Sequence, residues 1–427
     1  MNIINNESID EKLYYEKQSA GLDIYVIPKK GYSLYYGIMA VNYGSNDNEF
    51  LIPGSDKSLK VPDGIAHFLE HKMFDKKEGN LLQDYGALGS TPNAYTNATT
   101  TAYLFTTTAD IKKNVELLFR NVHEPYFTDE SIDREKEIIG QEIKMYQDNP
   151  SWKVYFNLLD CMYIKHPVKK EIAGSYYSIS EISKELLYEC YDTFYRPSNL
   201  VFLLVGDVEP EEIIGFADEN IKRYEKGKKE KPLRIYPHEP AKLNKKHAEE
   251  KMEISRPLFA MGFKDIDIGF TGDLLLQKEI ETEILLEGMF GKSSPIFKEL
   301  YDKGLINNSF GSDFMSEKDY GYSIVSGESK EPETVSKIIE DYIKRDGINI
   351  LSKKRFETIK KKLIGHFLAS FNSNEFIGSN FISYKMKGIN LFDYMDTVER
   401  IEYNDIENRF LNHITEDVKA MSIIYPN

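Results

Sequence analysis

The second half of this chain replays the order of the first, and that repetition limits the fold more than any other feature of the sequence. Ile296 to Leu305 echoes Leu81 to Leu88, and the strand-like Asp319 to Ser326 echoes Thr99 to Thr108. Pro332 to Arg345 echoes the helix that follows that strand, and Arg355 to Phe367 echoes Arg134 to Tyr146. Strand and helix patterns recurring in one order imply a duplicated unit. Alternating apolar and polar residues open the first copy between residues 21 and 47, as in Leu22-Asp23-Ile24-Tyr25-Val26. Helical spacing follows at Gly64 to Phe74, Leu81 to Tyr85, Ile111 to Val122 and Asp129 to Tyr146, with a strand at Thr99 to Thr108. A helical stretch from about Trp152 to Tyr195, a strand at Asn199 to Asp207 and a helix at Glu209 to Tyr224 complete that copy. The expected fold class is α+β, with two homologous halves, each an antiparallel sheet with helices packed on one face. Residues 225–247 exchange periodicity for charge and proline and read as a linker. The expected division is therefore an N-terminal half at 1–224 and a degenerate C-terminal half at 248–427.

Composition removes several function classes. The 69 acidic residues outnumber the 54 basic ones, and a net charge of -15 has the wrong sign for neutralising phosphates, so no nucleic acid is expected as a partner. The longest apolar run, Leu200 to Val205, falls far short of the ~20 residues that span a bilayer, so no membrane is expected either. The opening residues carry neither the basic nor the apolar segment of a secretory signal, which makes the cytoplasm the expected location. Cys161 and Cys190 lack CxxC spacing, which excludes a disulfide framework and a thiolate zinc site and leaves two free thiols.

Chemistry concentrates in His67-Phe68-Leu69-Glu70-His71. On a helix, positions i and i+4 share a face, so both imidazoles can reach one metal, and Glu70 stands one turn from His67 on the same side. Two imidazoles suit zinc, and a carboxylate between them is placed to deprotonate a water that the metal activates. A catalytic zinc takes a third protein ligand. Glu135 and Glu142 lie seven residues apart, two turns along one face of the next long helix, whereas Glu137 points elsewhere. One of the pair can ligate while the other hydrogen-bonds a ligand histidine. In the second-half echo these positions are Phe356 and Leu363, and no HxxEH recurs, so the carboxylates belong to one copy alone. The remaining histidines, His123, His166, His238, His247, His366 and His413, show no ligand spacing and read as structural or surface residues.

Gly64 to His71, then Asn93-Ala94-Tyr95-Thr96, then Glu135 with six residues before Glu142, resembles the pitrilysin/insulinase family of inverzincin metallopeptidases. Lys72-Met73-Phe74, Tyr188 to Asn199 and Gly291-Lys292-Ser293-Ser294 resemble its bacterial YmfH-type members. The resemblance implies a clamshell-forming zinc endopeptidase acting on unstructured peptides, with one Zn2+ per chain. By that likeness His67, His71 and Glu142 bind zinc, Glu70 is the general base, and Glu135 orients a ligand histidine. The likeness also puts Asn93, Ala94 and Tyr95 on a sheet edge that pairs with the substrate as an added strand. The family's arginine and, seven residues later, tyrosine hold the substrate carbonyl. Here they become Tyr301 and Asn308, with Tyr320 and Tyr322 nearby as possible substitutes. The resemblance then implies a YmfF-like partner subunit that supplies the pair, or a homodimer. Two other readings stand beside this one, a non-catalytic peptide-binding or scaffold subunit and a dedicated leader-peptide processing peptidase.

Overall fold

The longest apolar run of the chain becomes the middle of a sheet. Leu200–Gly206 is buried at every position, the pattern of a strand covered on both faces. The seven-stranded order is Asn2–Asn6, Glu11–Lys17, Asp23–Pro28, Leu200–Gly206, Tyr35–Val41, Thr101–Thr107, Thr91–Thr96. Each neighbouring pair is antiparallel except Leu200–Gly206 with Asp23–Pro28, because the chain arrives at Leu200 through a long helical crossover and not a hairpin. Neighbouring residues of a strand face opposite ways, and helices meet both sides of this sheet and not the single face expected, because the second cover comes from a helix far along the chain. Phe119 of helix Ile111–His123 lies 5.3 Å from Phe202, ring to ring, and Phe381 of helix Asn374–Met386 lies 4.8 Å from Tyr25. That second helix approaches closely enough that a Cβ on Gly378 would stand 2.3 Å from the Tyr36 ring.

This computed structural model describes residues 1–6, 9–224 and 232–427, which form two compact units. The first comprises residues 1–143, 170–236 and 370–386, the second residues 144–169, 237–369 and 387–427. The second unit's sheet runs His247–Met252, Lys419–Pro426, Leu258–Lys264, Gly321–Glu328, Gly311–Ser316. It has the order of the first sheet without Asn2–Asn6 and Glu11–Lys17 at one edge, and the single parallel pair, His247–Met252 with Lys419–Pro426, sits at the corresponding place. The fold is thus α+β and duplicated, with one parallel pair in each otherwise antiparallel sheet. The correspondence reaches single hydrogen bonds. At matching register on the two edge strands, the Ala94 amide donates to Asn93 Oδ1 at 2.9 Å and the Phe314 amide to Asp313 Oδ1 at 2.8 Å.

Helix Pro150–Met162 packs on Leu258–Lys264 and Lys419–Pro426 of the second sheet, as Asn374–Met386 packs on the matching strands of the first. Each unit thus takes a helix from the opposite end of the sequence, an exchange that a boundary read at one linker has no means to express. Of the segment read as linker, residues 225–231 lie outside the described residues, and Leu233–Arg234 pairs with Leu51 and Phe50. The helical stretch expected over Trp152 to Tyr195 is broken into Pro150–Met162, Tyr176–Ser180 and Lys184–Phe194. Gly174 has φ +77°, where a helix cannot continue, and Ser175 and Ser183 cap the two pieces that follow it. Among the described residues no helix is long and apolar enough to cross a membrane.

The second unit also buries two histidines with little room for charge. Burial pulls His413 down to about 3, aided by Arg409 and Lys278 and opposed by Asp265, and burial pulls His166 down to about 4. The unfolded chain takes up these protons near pH 6.5. Stability supplied by the neutral rings is therefore complete above pH 6.5 and is lost as the pH falls toward the folded values. Between pH 6.5 and 5 each ring is expected to remove roughly 2 kcal/mol. Urea unfolding of His413→Gln compared with wild type at both pH values checks this: the variant should show the shallower decline, and parallel declines would refute it.

Candidate functional site

The motif helix, Ile65–Lys72, begins at a glycine that its neighbours require. Gly64 has φ +92°, and a Cβ there would lie 2.4 Å from the carbonyl oxygen of Ala173. Gly64→Ala adds both backbone strain and that overlap, and is expected to cost about 2–4 kcal/mol. Gly86→Ala, at a helical glycine with open space around it, should instead stabilise slightly. Urea midpoints of the two variants on opposite sides of wild type are the expected result, and equal midpoints would remove the argument.

His67 and His71 project from the same face of this helix, their rings 4.6 Å apart. The nineteen-residue helix Asp129–Gln147 brings Glu142 across from them, 3.6 Å from His67 Nε2 through one oxygen and 3.6 Å from His71 Nε2 through the other. The three donors lie within 4.8 Å of one another. In a tetrahedral zinc site with bonds of about 2.1 Å, neighbouring donors stand roughly 3.4 Å apart, so the residues present fit such an ion. Two turns earlier on the same helix, Glu135 Oε1 stands 3.0 Å from His71 Nδ1. That contact fixes the ring so that Nε2 turns toward Glu142.

Electrostatics follow from burial. His67 is 8% exposed and its Nδ1 has no hydrogen-bond partner. Burial, followed by the His71 charge, lowers its pKa to about 4, which keeps its lone pair available to a cation. Burial acts against charge on His71 too, but the bond to Glu135 and the carboxylates of Glu70, Glu135 and Glu142 outweigh it and hold the ring above its ordinary value. Glu70 is also 8% exposed, and burial raises its carboxyl to about 7 against the opposing bond from Thr96.

Asn93, Ala94 and Tyr95 lie on the terminal strand of the first sheet, Thr91–Thr96, opposite Leu104, Tyr103 and Ala102. A cleft of about 500 Å³ joins this strand to Glu70, His71 and Glu135, with Phe74, Leu82 and Ile138 as apolar walls. The structure therefore brings all eight sequence-derived site residues into one region of the first unit. Two functional candidates escaped the sequence reading. Thr96 Oγ1 donates to Glu70 Oε2 at 2.6 Å, holding the carboxylate in place, and nothing in Asn93-Ala94-Tyr95-Thr96 announces that bond. Lys72, the residue after the motif, is fully buried, and its position at the end of a helical apolar face was the available signal.

The proposed stand-ins in the second unit are otherwise engaged. Tyr320 and Tyr322 are 4% and 3% exposed, and the Tyr322 hydroxyl is 2.5 Å from that of Tyr155. Tyr301 is half exposed on helix Pro295–Asp302.

Residues 54–175 match the family described as insulinase (peptidase family M16), and residues 181–363 match the peptidase M16 inactive domain. The chain is similar to the uncharacterized zinc protease YmfH of Bacillus subtilis, 41% identical over 430 residues and 99% of each chain. Among solved structures it resembles an M16-like peptidase from Alicyclobacillus acidocaldarius, with a TM-score of 0.93, 32% identity, and 98% and 99% of the two chains covered. Pitrilysin aligns over 46% of its own length with a TM-score of 0.78, and at 15% identity that likeness concerns the fold alone.

Proposed function

This chain belongs to the insulinase (M16) peptidase family, and from that premise we propose that it is a zinc-dependent endopeptidase for unstructured peptides, the metal-bearing half of a two-part enzyme. The observation that carries this reading is the convergence of His67, His71 and Glu142, with His71 and the buried Glu70 lining a cleft bordered by a terminal β-strand. Zinc held by those three side chains would supply Lewis acidity, polarising the scissile carbonyl and making water acidic enough to lose a proton near neutral pH. Glu70 takes that proton and returns it to the departing amine. Thr96 keeps Glu70 aimed during both transfers, and Glu135 keeps His71 from turning.

The edge strand binds the substrate main chain. A peptide added alongside Asn93, Ala94 and Tyr95 is held by backbone hydrogen bonds with little regard to sequence, while the Phe74, Leu82 and Ile138 walls favour an apolar side chain. Asn93 Oδ1 occupies the Ala94 amide and must yield to the incoming carbonyl. Stabilising the oxyanion calls for the arginine and tyrosine that Tyr301 and Asn308 replace here, and burial of Tyr320 and Tyr322 favours a partner subunit as the source of that pair. The test is cleavage of a quenched fluorogenic peptide library by the zinc-loaded chain, alone and with a candidate partner. Turnover that a chelator abolishes and zinc restores is expected when the partner is present. Zinc-independent turnover, or zinc-loaded silence in every combination, would sink the reading.

A further inference from the structure

A lysine with no exposed surface stands directly behind the candidate metal ligands. Lys72 ends the motif helix at 0% exposure. Its ammonium donates to the Asp75 carboxylate and to the Ser131 carbonyl at 3.3 Å, and lies 3.8 Å from Glu135 Oε2. The other oxygen of Glu135 is the one that meets His71 Nδ1. An ammonium so deeply buried carries a desolvation cost that a methionine or leucine of similar volume would not, so packing alone does not account for it. Its surroundings do. Glu70, Asp75 and Glu135 line one recess, and a cation fixed between Asp75 and Glu135 pins the Glu135 carboxylate from behind.

We propose that Lys72 is a positioning residue for the metal site, acting through Glu135 to hold the His71 ring in the tautomer and orientation that present Nε2 toward Glu142. The inference rests on the metal reading above and goes beyond it, because it assigns the affinity of the site partly to a residue that touches no ligand atom. It also distinguishes two roles a buried lysine could have. A lysine that only ties the Ile65–Lys72 and Asp129–Gln147 helices together would affect the site whether or not Glu135 can respond. A positioning lysine would lose its effect once Glu135 is gone.

A double-mutant cycle separates these roles. Zinc dissociation constants would be measured by competition with a chromogenic chelator for wild type, Lys72→Met, Glu135→Gln and the double variant, with melting temperatures alongside. Lys72→Met should weaken zinc binding about 10-fold or more, the size expected for residues that orient a ligand histidine. In the Glu135→Gln background the same change should alter affinity less than about 2-fold, and Lys72→Arg should recover most of the loss. Equal losses in both backgrounds, or unchanged affinity in Lys72→Met, would overturn the proposal. Should Lys72→Met fail to fold, Lys72→Gln enters the same cycle under the same criteria. A wild-type chain that binds no zinc would overturn the metal reading and this inference together, whereas equal losses would overturn this inference alone.

Discussion

Glu70→Gln is expected to abolish peptide cleavage by the zinc-loaded enzyme while leaving zinc content and melting temperature unchanged. Glutamine is nearly isosteric, and its carbonyl oxygen can still accept the 2.6 Å bond from Thr96, so the side chain keeps its place. It cannot take a proton. Proton transfer by a positioned side chain typically supplies 10²–10⁴-fold, and Glu70 serves both the attacking water and the leaving amine, so a loss of about 10³-fold or more is expected. The effect should fall on kcat, with KM little changed, because Glu70 lies at the reacting bond while the edge strand holds the peptide. Cleavage that survives in the variant at more than about a tenth of the wild-type rate would show that another group moves the proton.

The second large effect lies far from the metal. Asp265 follows strand Leu258–Lys264 and is 3% exposed, with Arg409 Nη2 donating to it at 2.7 Å and Lys278 at 2.8 Å. Arg409 also donates to Thr282 Oγ1 at 2.7 Å, so one carboxylate ties helices Asp273–Phe290 and Tyr403–His413 to the second sheet. Despite burial, the charges of Arg409, His413 and Lys278 hold the Asp265 carboxyl at about 2. Asp265→Asn keeps the shape and removes the charge, leaving two buried cations facing each other without a counter-ion. A cost of about 3–5 kcal/mol is expected, read as a lower urea midpoint for the second unit. A loss below about 1 kcal/mol would mean that water reaches the site and solvates the two cations.

Much of this molecule was legible in its sequence for a physical reason. Backbone periodicity is a local property, so the strand at Leu200–Gly206 and the helix carrying His67, Glu70 and His71 could be read from spacing alone. Helical geometry likewise put Glu135 and Glu142 on one face, and the family likeness named Glu142 as the expected ligand. The order of the duplicated elements survived because both copies keep the same strand pairing, parallel pair included.

What lay beyond reach depends on residues far apart in the chain. No local pattern announces that helix Asn374–Met386 covers the first sheet or that Pro150–Met162 covers the second, since an apolar helix face fits either sheet and only assembly chooses between them. The same holds for polar side chains. Lys72 shows in the sequence only as the last position of an apolar helix face, and its ionic partners appear when Asp129–Gln147 closes over it. Thr96 likewise becomes a partner of Glu70 only when an edge strand and a helix 26 residues away meet. Sequence determined which groups could do the chemistry, because reactivity resides in side-chain type and local spacing. Tertiary structure decided how each is charged, held and screened from water, because those depend on neighbours that the chain brings together only when folded.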